Sequence, residues 1–454
     1  MDKGWELVNY FLLLAIFIGL ASTLKKKFSF FRKYLIPVPI IAGFIGLLLG
    51  QEVIGLVSLH KQTLGFIVYH LMAIGFIALS LQNRKSKTNK DILNGGLFIV
   101  TNYLLQGILG FTITLILVKT IFPDLFPMFG LLLPLSFGQG PGQAFSIGTQ
   151  WEKLGFISGG NIGLTFATFG FLWACFAGLP LLNFLVKKSK LKFDKKAEHR
   201  AYKVVPQNIE YRENTTNESL DSISIQLFLI ALVYAITYLT IKYLTNFLLP
   251  LGTLGATLAQ LLWGFHFLIG TVYGLLFRTI INFMNKKYSN FYFDTDKFLL
   301  QRITGGAFDF MITASISAIS LYTLRKFALP IILITSAGGI FTMLYINFMV
   351  RKIFIHDHLE NIIGFYGMMT GTISTGMALL KEIDPNLETS TTDNLVMGSA
   401  VAIFFGFPLM VILSIPVIGY TTGRPSFYLL TLLLFIIYLM IIYFIIYKNR
   451  PEKN

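Results

Sequence analysis

The sequence predicts an all-α integral membrane protein made of two inverted five-helix repeats. Each repeat carries a Gly-rich re-entrant hairpin, and one extra transmembrane helix follows at the C-terminus. Three observations lead there. The chain has 454 residues, of which 54% are hydrophobic and only 13% charged, the composition of a chain that lives in lipid. Its apolar runs repeatedly reach the roughly 20 residues needed to cross hydrocarbon. Two of the apolar stretches, 131–153 and 361–381, are broken at their centres by glycine and small polar residues.

Helices are expected near 5–23, 35–56, 63–81, 95–121 and 157–186, and again near 223–249, 252–282, 303–324, 328–350 and 393–418. An additional one falls near 427–447. The first apolar run is followed by Lys25, Lys26 and Lys27 and preceded by Lys3 alone. That bias predicts a retained helix with its N-terminus outside. The net charge of +15 does not indicate a nucleic-acid partner, because the basic residues sit in short clusters between apolar runs and read as topology signals. The single cysteine, Cys175, excludes an intramolecular disulfide framework.

Charge also decides how the broken stretches are read. Residues 187–222 carry nine Lys or Arg, the largest basic cluster, and should be cytoplasmic. They are so only if 131–153 turns back rather than crossing. On that topology about 29 Lys and Arg fall inside and about 8 outside. The same parity makes 361–381 re-entrant from the inside and leaves the C-terminal Lys448, Arg450 and Lys453 cytoplasmic. The expected organisation is a first repeat over 1–186, a basic linker over 187–222, a second repeat over 223–420, and an additional helix and tail over 421–454. The protein is placed in the plasma (inner) membrane.

Backbone that leaves the helix inside a bilayer needs partners from protein or a water-filled cavity. Interrupted segments at corresponding positions of two inverted halves are therefore the sequence mark of a transporter's binding site. The first break supplies Ser136, Gly138, Gln139, Gly140, Gly142 and Gln143. The second supplies Gly367, Thr370, Gly371, Thr372, Ser374 and Thr375. These are uncharged groups: amide and hydroxyl oxygens and backbone carbonyls for a hard cation, with helix-end N–H groups for an anion. Together they suit co-transport of a small anion with Na⁺.

Two further groups are candidates. Asn161, Thr165 and Thr168 share a face of the helix after the first break, where they serve either the ligand or interhelical hydrogen bonds. Asp309 heads a stripe with Thr313, Ser317 and Ser320; a carboxylate in a membrane segment is a functional candidate, although Arg302 lies about two turns away as an interfacial partner. His356 and His358 lack further ligands, and no nucleotide-binding loop, nucleophile elbow or paired-acid motif is present. The chain is read as a transporter and not an enzyme.

The runs around these breaks resemble the bacterial sodium:glutamate symporter family over most of residues 10–418. The likeness rests on Phe31 to Pro39, on Met72-Ala73-Ile74-Gly75-Phe76, on Gly138-Gln139-Gly140-Pro141-Gly142, on Trp151 to Phe156, and on Ala167-Thr168-Phe169-Gly170. Gly367, Gly371 and Thr375 match the family's spacing in the second break. The resemblance implies a homodimer, an elevator-like motion of the hairpin-bearing part, and Na⁺-coupled uptake of L-glutamate or a similar small anionic amino acid, with Na⁺ as coupling ion and no other cofactor. This chain departs from the family's G-G-H-G-T-G at Phe137 to Gly142, and has Ser374 where proline is common. A 2-hydroxycarboxylate or dicarboxylate carrier on the same architecture is the nearest alternative, and an ion channel a more distant one.

Overall fold

The computed structural model describes residues 2–33, 36–82, 90–189, 222–264, 266–287, 295–380, 382–384 and 389–449. Most of the predicted basic linker therefore lies outside the described residues. The described chain is helical, with no strand among its residues. Nine of its helical segments are long and apolar enough to cross a membrane.

The first half comprises α1 (Asp2–Lys27), α2 (Ser29–Lys33), α3 (Val38–Leu49), α4 (Lys61–Leu81), α5 (Lys90–Thr120), α6 (Leu132–Phe137), α7 (Pro141–Glu152) and α8 (Gly159–Ser189). The second comprises α9 (Ser222–Leu248), α10 (Gly252–Gly264), α11 (His266–Lys287), α12 (Lys297–Ser317), α13 (Leu321–Lys326), α14 (Ala328–Ile353), α15 (His358–Thr370), α16 (Ile373–Leu380), α17 (Ser390–Ile412) and α18 (Ser414–Thr421). The additional helix is α19 (Ser426–Lys448).

Four expected helices come out shorter or divided, the one over 393–418 breaking at Leu413 into α17 and α18. The second ends at Gly50, because Glu52 is drawn into a loop where it pairs with Lys61 and accepts the Leu321 N–H at 2.6 Å. The stretch expected over 252–282 is described as α10 up to Gly264 and α11 from His266, with residue 265 outside the described residues. The one expected over 303–324 stops at Ser317, and Ser320 then caps α13 by accepting the Thr323 N–H at 3.3 Å.

The helices sort into two bundles. One contains α1, α3, α4, α9, α10, α11 and α12, the early helices of each half. The other contains α5 to α8 and α14 to α17, the late helices and both broken stretches. Close approach within the first bundle comes from small residues: a methyl on Gly43 would meet Ile316, and one on Gly270 would meet Ile77. Helix α19 packs on the second bundle, where Tyr443 donates to the Tyr345 hydroxyl at 2.8 Å and Tyr345 to Thr101 at 2.7 Å. The bundles meet chiefly through α7 against α4, α10 and α12. Along that seam lie parts of both broken stretches.

Candidate functional site

Both broken stretches fold back on themselves. In the first, Phe126 stacks on Phe156 with ring centroids 4.4 Å apart and Phe129 meets the same ring at 5.8 Å. The two ends of the segment are thus side by side, with α6 and α7 between them. The turn falls at Gly138 to Gly140, and Gly140 has φ 98° and ψ 174°, a region open in practice to glycine alone. Pro141 then starts α7 at the one helical position where a missing N–H costs nothing.

In the second stretch α15 and α16 pack against each other. A methyl on Gly376 would lie 2.5 Å from the Gly364 carbonyl oxygen, and one on Gly367 2.8 Å from Leu379. The turn is Gly371-Thr372. Asp357, at the start of α15, accepts from Ser390 N–H at 3.1 Å and Ser390 Oγ at 2.8 Å, which ties the outer end of this stretch to α17.

The two turns touch. A Cβ on Gly140 would stand 3.2 Å from Thr372 Cγ2. Beside this contact lies a cavity of about 80 Å³ on the seam, lined from the first turn by Gly138, Gln139 and Gln143 and from the second by Thr372 and Ile373. Across it the first bundle offers Phe76, Phe267, Phe308 and Met311. Among the described residues, no charged side chain lines it. Both amide atoms of Gln139, Oε1 of Gln143 and Oγ1 of Thr372 are buried with no hydrogen-bond partner. Buried polar atoms are nearly always paired, so four unpaired ones at one cavity mark a place where a ligand or water completes them.

The helix ends add their own polarity. α6 and α15 end at the turns and direct carbonyl groups there, while α7 and α16 begin there and direct N–H groups. One compact region thus presents neutral oxygens and positive helix ends together. Carbonyl and amide oxygens are the donor type a hard cation such as Na⁺ takes.

The other predicted site residues are placed differently. Ser136 is fully buried and donates to Leu132 O at 2.7 Å within its own helix. Gly142 faces Met72 of α4, and Gly371 and Thr375 pack against each other inside the second turn. Thr370 donates to Tyr366 O at 2.7 Å. Ser374 lies in α16. Thr165 donates to Asn161 O at 2.8 Å and Thr168 to Leu164 O at 3.0 Å, so both bond along α8 and neither reaches the cavity, while Asn161 Oδ1 is unpaired. Thr313 donates to Asp309 O at 2.8 Å and Ser317 to Gly43 O at 3.3 Å, which makes their stripe a packing surface against α3. Asp309 itself is exposed on α12, whereas its neighbours Phe308, Met311 and Ile312 line the cavity.

Two residues that sequence reasoning passed over support the turns. Tyr103 of α5 donates to Gly138 O at 3.3 Å and lines the cavity. Gln106, one turn on, donates to Thr342 Oγ1 at 2.9 Å and Met369 O at 3.0 Å, which fixes α15 at its inner end. The available signal was a series of polar residues, Asn94, Asn102 and Gln106, within a helix long enough to cross the membrane.

A family model described as "Sodium/glutamate symporter" matches residues 6–386. The chain belongs to the sodium/glutamate symporter family. It is a multi-pass membrane protein of a transporter family and not an enzyme, with Na⁺ and a small solute as partners. The match takes in both turns and ends before α17 and α19. No curated relative and no solved structure matches the chain.

Proposed function

We propose that this symporter carries L-glutamate, or a similar small anionic amino acid, together with Na⁺ by an elevator-type alternation. In this reading the two turn-backs are re-entrant from opposite faces of the membrane and their tips form the carrier site. The observation that carries it is the meeting of both tips at one cavity on the seam, with unpaired amide and hydroxyl groups aimed into it. The carbonyl ends of α6 and α15 and the side-chain oxygens of Gln139, Gln143 and Thr372 coordinate Na⁺. The N–H ends of α7 and α16 face carboxylate, in the manner of discontinuous helices in other carriers.

The two-bundle division supports the motion. The bundle with both tips, including α8 and α14, moves as a body, while the bundle of α1, α3, α4 and α9 to α12 stays and supplies a homodimer contact. Uncharged, mostly apolar walls across the cavity let the tips slide past without breaking ion pairs. In the same reading the two halves are inverted repeats, with the N-terminus outside and the C-terminus in the cytoplasm.

Uptake of labelled L-glutamate into proteoliposomes, with an inward Na⁺ gradient against K⁺ on both sides, tests this. Concentrative uptake that needs Na⁺ is expected. Accumulation of malate or citrate with none of glutamate would transfer the function to the organic-anion alternative, and large unitary currents would replace the carrier by a channel.

A further inference from the structure

The seam holds a second hollow, of about 510 Å³, between α7 on one side and α4, α9 and α10 on the other. From α7 it receives Ser146, Thr149 and Gln150, and with them Lys153, which caps the C-terminal end of that helix; the four are spaced i, i+3, i+4 and i+7 and so lie on one face. Gln143, one turn nearer the tip, lines the tip cavity. A single polar stripe of α7 therefore faces both hollows in succession.

Three polar atoms of the second hollow find no partner in the protein. Thr149 Oγ1, Gln150 Oε1 and, across from them, Thr245 Oγ1 are buried without a partner. Lys153 is the one Lys or Arg among the described lining residues, and it makes no ion pair among them. Its neighbour Glu152 is engaged elsewhere, accepting the Gly160 N–H at 3.0 Å. Between the residues that line the two hollows, contacts across the seam form a partition. Ser146 donates to Gly264 O at 2.9 Å, Tyr69 donates to Trp263 O at 2.7 Å, and the Tyr69 and His266 rings stack at 3.6 Å.

We propose that this hollow is an encounter site for a small carboxylate, held at Lys153 and handed along the α7 stripe toward Gln143. The inference rests on reading the chain as a carrier of a small anion. A lone cation at the mouth raises the local concentration of an anionic solute, and the unpaired hydroxyl and amide oxygens keep water and an ammonium group beside it. The partition explains why the two hollows are separate in this conformation.

The test uses a chain with Cys175→Ser and Gln150→Cys in phosphatidylcholine vesicles, which offer Lys153 no anionic headgroup. Thiol-reactive methanethiosulfonates of negative and positive charge are applied from outside. Both react, the anionic reagent faster, and Lys153→Gln lowers the anionic-to-cationic rate ratio by about three- to tenfold, as expected for one partly screened charge within a Debye length. L-Glutamate with Na⁺ slows the labelling, and Lys153→Gln raises KM for uptake by a similar factor with kcat within about twofold. No labelling from outside, or a rate ratio indifferent to Lys153→Gln, overturns the proposal. Charge-dependent labelling in a protein that neither takes up glutamate nor is protected by it supports the anion site and places the failure in the choice of solute.

Discussion

Replacing Gly140 by alanine puts a side chain at the point where the two tips meet. With φ 98° and ψ 174°, the backbone there carries a penalty of about 1–3 kcal/mol for any residue with a Cβ. The new methyl also stands 3.2 Å from Thr372 Cγ2, tighter than ordinary van der Waals contact, so Thr372 must give way. If the tips close on substrate in the conformation described, that strain adds to the barrier for transport. At 1.36 kcal/mol per tenfold, uptake should fall by about fivefold to about 160-fold. Initial rates of Na⁺-driven glutamate uptake, normalised to folded protein by size-exclusion chromatography, measure this. Thr372→Ser in the same chain removes Cγ2 and should restore only the contact share of the loss. Thr372→Ile, which adds bulk from the opposite tip without touching Gly140, should also slow uptake. Wild-type rates in both Gly140→Ala and Thr372→Ile would refute the reasoning, because the tips could then not be in contact on the transport cycle.

Gln143→Leu removes a buried, unpaired amide oxygen, so the ligand-free protein should gain up to about 1–3 kcal/mol, seen as a higher melting temperature, while Na⁺-dependent uptake is lost. Gln106→Leu breaks the bonds to Thr342 and Met369 O; leaving a buried carbonyl unpaired should cost about 1–3 kcal/mol and weaken glutamate binding through the displaced second tip. Asp309→Asn should leave KM for glutamate unchanged within about twofold, since that side chain lies on the exposed face of α12; a tenfold change would bring it into coupling. For the topology, a cysteine replacing the 63% exposed Ile157 should react with an impermeant thiol reagent from outside, and one replacing the 38% exposed Ile355 from inside.

Much of this arrangement was legible because hydrocarbon is a strict solvent. Runs of about 20 apolar residues and basic clusters gave most of the helices, and the glycines at 138, 140 and 371 marked where the chain leaves the helix. The same spacing rules could not tell a ligand from a neighbour. Thr165, Thr168 and Thr313 lie on polar faces as the periodicity indicated, yet each hydroxyl returns to the carbonyl one turn back in its own helix. That bond is available to any threonine in a helix. Gln106 and Tyr103 were missed for the converse reason: their importance comes from chain segments more than 30 and more than 200 residues away, and local pattern carries no trace of that pairing. The polar face of α7 was written in the sequence as Gln143, Ser146, Gln150 and Lys153. What it faces became evident only once α4, α9 and α10 were in place.

Ser146 and Gly264 lie on opposite sides of the seam, and a Cβ on Gly264 would be 3.8 Å from Ser146 Oγ and 2.5 Å from Ile147 Cδ1, so a small shift that moves the Ile147 side chain aside brings cysteines at both positions within reach of a disulfide. Oxidising Ser146→Cys with Gly264→Cys, in a chain carrying Cys175→Ser, would join the bundles at this point. Glutamate uptake should then disappear as the disulfide forms and return when it is reduced, with either single variant unaffected by oxidant. Full uptake by completely cross-linked protein would contradict a tip-bearing bundle that moves against a fixed one.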